Sequence, residues 1–221
     1  MLDNITTPKT VDQQRIEAIL IFWFGRIPDK RFGLKEMRLS IARLPYWGGH
    51  FFDFFQKADN EIRTKFGADL ENASNGKYDS WGAHPIGRLA LIILLDQFPR
   101  NIHRGTAKAF TQDKKVFELA ANALEISDDN LFDAVTKHFF YLPLMHKEDL
   151  SLQDKCVSLY KKAIKDANYL SKPILTMEYI GALRHRQIIK KFGRFPHRNK
   201  ILGRDSTPQE SNFLRQPFST F

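Results

Sequence analysis

The chain has 221 residues, 43% apolar and 27% charged, with a net charge of +9 and a single cysteine. That length supplies enough buried surface for a core without disulfides or structural metal, and one cysteine excludes an intramolecular disulfide framework. No apolar run reaches the ~18 residues of a membrane span, and the polar start MLDNITTPKTVDQQR has no apolar signal core, so the expectation is a cytoplasmic protein without a membrane contact.

Taken in chain order, residues 1–9 read as a flexible terminus, residues 10–215 as a single helical domain and residues 216–221 as a tail. Thr10 with Gln13 forms a capping-box pattern ahead of Ile16, Ile19, Leu20, Trp23 and Phe24, and Gly25 stops that helix. Leu34, Met37, Ile41 and Leu44 predict a second amphipathic helix, ended by the loop from Pro45 to Gly49. Phe51 to Phe66 predicts a third, with Phe51, Phe55, Ile62 and Phe66 inward, and a separate short helix follows over Ala68 to Ser74, closed by Asn75 and Gly76.

The stretch WGAHPIGRLALIILLDQFPRNIHRG, Trp81 to Gly105, holds the longest apolar run and leads directly into the densest polar cluster. His84 as N-cap and Pro85 at the first position open a helix there. The unbroken apolar residues Leu89 to Leu95 predict burial on all sides, hence a central helix, ending at Asp96. A carboxylate at the negative end of a helix dipole requires a cation, and Arg100 or Arg104 supplies one.

Thr106 is the expected cap of a helix running to about Ile126 with Phe110, Val116 and Ala120 inward. Asp128 to Asn130 opens the next, with Leu131, Val135, His138 and Phe139 on one face, until Pro143 breaks or kinks it. Ser151 to Ala167 carries the stripe Leu152, Cys156, Leu159, Tyr160 and Ala163, which makes Cys156 a buried thiol. Pro173 starts a helix through Met177, Ile180, Leu183, Ile188 and Phe192, and Thr207-Pro208 with Glu210 is a second capping-box start. No two-residue alternation with hairpin turns occurs, so the fold class is all-α: a single compact domain of about eight to ten antiparallel helices in a degenerate tetratricopeptide-like, α-solenoid arrangement.

The charge is local. Arg184 to Arg204 holds eight basic residues and no acid, nearly the whole excess. Within it Phe195-Pro196-His197-Arg198-Asn199 echoes Phe98-Pro99-Arg100-Asn101, each followed by an Arg and Gly pair, Arg104-Gly105 and Gly203-Arg204. Proline excludes the helical conformation for the residue before it, so both copies read as fixed corners that hold out a guanidinium for a carboxylate or phosphate. A third polar cluster, Pro143 to Asp149, contributes His146 and Glu148.

These residues together resemble the bacterial DUF924 family. The resemblance is carried by Trp23-Phe24-Gly25, Leu95 to Asn101, Arg104-Gly105, Phe110 with Asp113, Leu142 to His146 with Glu148-Asp149, and His185-Arg186 with Phe192 to Asn199 and Leu202-Gly203-Arg204. It spans Ile16 to Leu214 and implies an all-helical, tetratricopeptide-like fold with no assigned activity. Lys147 stands where the family often has serine, and residues 26–50 are longer than usual.

The favoured functional expectation is a binding module in which the motifs converge on a pocket for a small anionic ligand or an acidic peptide. Its expected lining is Asp96, Arg100, Asn101 and Arg104 from the first motif, His146 and Glu148 from the second, and His185, Arg186, Arg194, His197, Arg198, Asn199 and Arg204 from the third. Asp96, Glu148 and Asp149 are too few to balance the nearby cations, which leaves room for an anion. The rival is an enzyme acting on a phosphorylated or carboxylated small molecule, with His146, Glu148 or His197 in acid/base roles; the third reading is weak, nonspecific RNA binding through residues 184–204. No cofactor is expected. A zinc or iron site from His146, Glu148, His185 and His197 lacks the spacing of a tight metal motif.

Overall fold

A computed structural model describes residues 9–47, 55–217 and 219–220, with the side chains of Phe55 and Gln56 outside the description. The protein is all-helical, and no strand occurs among the described residues. Most of the expected N-terminal segment, Phe51 and the end of the extended 26–50 stretch lie outside the described residues.

Helix α1 (Val11–Phe24) starts at the Thr10–Gln13 capping box, with both reciprocal bonds formed, and stops where Gly25 takes a left-handed φ of 73°. Helix α2 (Leu34–Trp47) runs through Pro45 instead of ending at it. Its expected apolar stripe is not its packed face: Leu34, Ile41 and Leu44 are all more than half exposed. The helix is held instead at its C-terminus, where Trp47 donates from Nε1 to the Trp23 carbonyl and Tyr46 packs edge-on against Phe22. Helix α3 (Phe55–Ser74) is one helix where two were expected. Nothing crowds Gly67, and the chain passes through it without a break until Gly76 turns left-handed.

The stretch singled out in the sequence is the centre of the fold. Helix α4 (Pro85–Ile92) begins at His84, which has cap geometry but makes no side-chain cap bond. Leu89 to Leu95 are all 1% exposed or less, and at about 2 kcal/mol per buried aliphatic side chain this run outweighs any one polar contact. It does not end at Asp96. A π-turn over Ile93–Gln97 joins α4 to α5 (Phe98–Ile102), with the Phe98 N–H reaching back to the Ile93 carbonyl. The wide turn answers the proline: Pro99 has no N–H to donate, and its ring would crowd the carbonyl four residues earlier in a regular helix. Phe98 therefore stays helical, φ −64° and ψ −39°, and the first Phe-Pro corner is a bulge inside a helix.

The expected helix from Thr106 is split: a 3₁₀ turn over Ala107–Phe110, then α6 (Asp113–Glu125). A second 3₁₀ turn over Asp128–Leu131 precedes α7 (Ala134–Met145), whose cap is Asp133 and which continues through Pro143. Helices α8 (Leu150–Asp166) and α9 (Lys172–Phe192) follow, and α10 (Pro208–Leu214) opens on the expected Thr207–Glu210 capping box. Met177 and Ile180, expected inward on α9, are 68% and 47% exposed, and Leu175, Ala182 and His185 form the packed face instead. Helices α6 to α9 pack each against the next, joined by short turns that force reversal. Helix α4 is packed against α1, α6 and α7, while α5 packs on α3. Ser219 is buried and bonds the Leu214 carbonyl, so this part of the C-terminal segment lies against the domain. No helix among the described residues is long and apolar enough to cross a membrane.

Candidate functional site

The bulged turn places Asp96 fully inside the protein, and the residues around it answer its charge. Arg100, one turn on, donates to Asp96 Oδ1 from Nε at 3.2 Å and Nη2 at 2.8 Å, and its Nη2 also reaches Asp113 Oδ1 at 2.9 Å. Gln97 donates its amide to the other Asp96 oxygen. His146, at the C-terminus of α7, brings Nδ1 within 2.9 Å of Asp96 Oδ1. Burial pushes the Asp96 carboxyl up, but the Arg100 guanidinium and the hydrogen-bond contacts with Arg100 and His146 pull it further down, so it is ionised. The same Nδ1 faces Asp96 Oδ1, which only accepts, and Arg100 Nη2, also 2.9 Å away, which only donates, so the two contacts call for opposite tautomers of the ring. Burial and the adjacent Arg100 push the His146 imidazole down, so it is neutral near pH 7.

The second Phe-Pro motif behaves as the sequence suggested. Gly193 ends α9 in a left-handed conformation, Phe195 is forced into extended geometry by Pro196, and a 3₁₀ turn over Pro196–Arg198 aims Arg198 back at α7. Arg198 is 7% exposed. It donates from Nη1 to the His146 carbonyl at 3.0 Å, and its guanidinium lies over the rings of Phe195 and Phe110 at 4.6 and 4.7 Å. Its nearest carboxylate oxygen, on Asp113, is 3.7 Å away, and its Nε is buried with no hydrogen-bond partner among the described residues. Burial, with Arg100 close by, pushes this guanidinium down to about 10.

These groups wall a chamber of about 530 Å³. Arg100, Asn101, Arg104, His146, His185, His197 and Arg198 all line it, so seven of the expected site residues do meet. Around them are groups the sequence reading had not placed there: Gln97, Phe110, Trp47, Leu142, Met145, His138, Glu178 and Thr220.

The other expected site residues do not line the chamber. Asp96 lies beneath Arg100. Glu148 takes a two-pronged bond from Arg204 at 2.7 and 2.9 Å and the Phe195 N–H at 2.8 Å, which brace the second corner from behind; burial would raise Glu148, but these partners hold it below the ordinary carboxylate range. Arg194 and Asn199 both bind Glu210, tying α10 to the corner. Arg186 pairs with Asp154 away from the chamber. The carboxylate partner of His146 is thus Asp96.

The expected shortage of acids is corrected in the same way. Arg104 is bound two-pronged by Asp59 at 2.7 and 2.8 Å, and Asp113, Asp154 and Glu210 serve the others. Asp113 had a readable signal, an acid at the first position of a helix; Asp59, in mid-helix, had none. Cys156 is a buried thiol bonded to the Tyr141 carbonyl, pushed up to about 12 by burial. No three His, Cys, Asp or Glu among the described residues are placed to hold a metal ion together.

Fold and site define an all-helical protein with a chamber of ligand-binding volume, walled at one end by Arg100 and His146, both held by the buried Asp96, and by the buried Arg198. The chain belongs to the family DUF924, described as bacterial protein of unknown function, which matches residues 19–218. A solved structure of a protein of unknown function from Agrobacterium tumefaciens is similar to it, with a TM-score of 0.72 and 29% identity over 91% of this chain and 97% of that one. No curated protein matches the chain.

Proposed function

We propose that the chain binds a small amphipathic anion, a carboxylate or phosphate with an apolar body, in this chamber. The observation that carries the reading is Arg198: a buried guanidinium clamped over two rings, with a buried Nε lacking a partner and its nearest carboxylate at 3.7 Å. A buried charge of that kind is costly until an anion meets it, and its fixed position lowers the ordering cost of meeting one. Leu142, Met145, Trp47 and Leu175 on the same chamber supply the surface for an apolar body. A volume of about 530 Å³ favours a small molecule over an acidic peptide. For nucleic acid, the basic segment has Lys190, Lys191 and Lys200 exposed, while Arg186, Arg194 and Arg204 are held in ion pairs and Arg198 is buried.

The test is a calorimetric titration of straight-chain carboxylates from acetate upward. Each methylene buried contributes about 0.8 kcal/mol, close to fourfold in affinity, so affinity should climb by roughly that factor per carbon until the chamber is filled. Arg198→Gln, checked for an intact fold by circular dichroism, should weaken every member at least tenfold. Flat affinity along the series, or binding indifferent to Arg198→Gln, would refute the reading.

A second reading is favoured by one contact. With the ring proton on Nδ1 toward Asp96, a neutral His146 keeps Nε2 as an acceptor, the arrangement of a general base held by a carboxylate. On that reading the bound anion is a substrate, and His146→Asn abolishes turnover of it while leaving its affinity within a factor of a few.

A further inference from the structure

The chamber has a second polar end, on α7 and α9, the helices that bring His146 and His185 to the first. Along α7, His138 and His146 stand eight residues apart, about 12 Å at ~1.5 Å per residue. Along α9, Glu178 and His185 stand seven apart, about 10 Å by the same rise. The two helices run in the same direction, because His138 Nδ1 lies 3.6 Å from Glu178 Oε2 while the His146 and His185 ring centroids are 6.5 Å apart. All four residues line the chamber. It is therefore a trough, with Leu142 and Met145 of α7 between its ends.

Among the described residues that line this trough, Glu178 is the one carboxylate. Its ion-pair neighbour is His138, and that histidine does not balance it. His138 Nδ1 also meets the Tyr160 hydroxyl at 2.5 Å, and burial pushes the imidazole down, so it is neutral near pH 7. Among the described residues no lysine or arginine forms an ion pair with Glu178, and its side chain keeps 39% exposure. The trough thus presents a guanidinium short of acceptors at one end and a carboxylate without a cation at the other.

We infer that the ligand is bipolar, a small molecule with its anionic group on Arg198 and a protonated amine on Glu178, joined by an apolar body of about 10 Å. This rests on the anion reading above and adds the chemistry of the far end. A free carboxylate facing the trough attracts an ammonium and repels a second anion, so the three classes of chain terminus are separable.

The experiment compares three eight-carbon probes on the full chain by calorimetry: the monocarboxylate, the ω-amino carboxylate and the α,ω-dicarboxylate. The amino carboxylate should bind about tenfold tighter than the monocarboxylate, the worth of one charge-assisted hydrogen bond, and the dicarboxylate weaker than both. Glu178→Gln should bring all three to similar affinity without weakening the monocarboxylate. If the three bind the wild-type chain alike, or Glu178→Gln leaves their order unchanged, the bipolar inference is overturned and the anion reading stands. If none binds, both fall.

Discussion

His185 illustrates how a site residue is held in one state by its surroundings. Its Nδ1 is 2.8 Å from the Gly181 carbonyl, which only accepts, so Nδ1 carries a proton. Burial, with His146, Arg198 and His197 facing it, pushes the imidazole from 6.5 down to about 3. The unfolded chain takes up this proton as pH falls through the higher value and the folded chain only near the lower one, so acid favours unfolding. Full protonation removes about 5 kcal/mol of stability. The neighbouring His138 and His146 shift the same way, and the depressed carboxyls of Asp96, Glu148 and Glu210 add the same sign at lower pH. Melting temperature should therefore fall from near pH 6.5 downward, and His185→Asn, which keeps a donor for Gly181, should flatten the upper part of that fall; an unchanged pH profile would mean that the ring already titrates normally in the fold. At this scale the sequence was informative where an interaction is local. A carboxylate at the end of an apolar run announced that it would be buried and paired, and Arg100 four residues on is its partner. Asp59 carried no such signal, since its ion pair crosses 45 residues of chain, and Asp113 was readable as an acid at a helix start but not as the partner of Arg100, 13 residues away.

Elements were legible wherever a cap or a left-handed glycine fixed their ends, as at Thr10, Gly25, Gly76 and Thr207. Proline misled twice as a helix end, at Pro45 and at Pro99. Pro45, Pro99 and Pro143 all sit inside helical stretches, and at Pro99 the backbone widens into a π-turn that periodicity alone does not encode. Face assignment failed on α2 and on the first turns of α9, where an apolar stripe in the sequence has no partner helix over it. Two glycines give opposite tests of the packing. Nothing lies within 4 Å of a Cβ added at Gly67 in mid-α3, so Gly67→Ala should stabilise by about 0.5–1 kcal/mol through helix propensity. A Cβ at Gly87 would meet the Trp81 carbonyl oxygen, a backbone atom, at 2.3 Å. Gly87→Ala should therefore cost roughly 2 kcal/mol or more, as α4 is pushed off the turn that precedes it. Denaturant midpoints of the two variants moving in the same direction would contradict this account of α3 and α4.

At the scale of the molecule, the central helix was the most legible feature and the chamber the least. The run Leu89 to Leu95 carries its own signature of complete burial, whereas a cavity is a property of how α5, α7 and α9 approach one another. The motifs identified the cationic end because their residues occur in clusters. Glu178 and His138 form the other end from separate helices 40 residues apart, with no local pattern to mark them. The basic segment supplies the larger lesson: much of its charge ties corners together, Arg204 to Glu148 and Arg194 to Glu210, and one arginine of it is turned inward. That inward arginine carries the functional claim, and the most direct measurement of it is a crystal structure of the chain with octanoate. The account predicts the carboxylate within hydrogen-bond distance of the Arg198 guanidinium, with the alkyl chain lying along Leu142 and Met145 toward Glu178. Octanoate bound elsewhere, or a chamber occupied with its carboxylate turned away from Arg198, would contradict it.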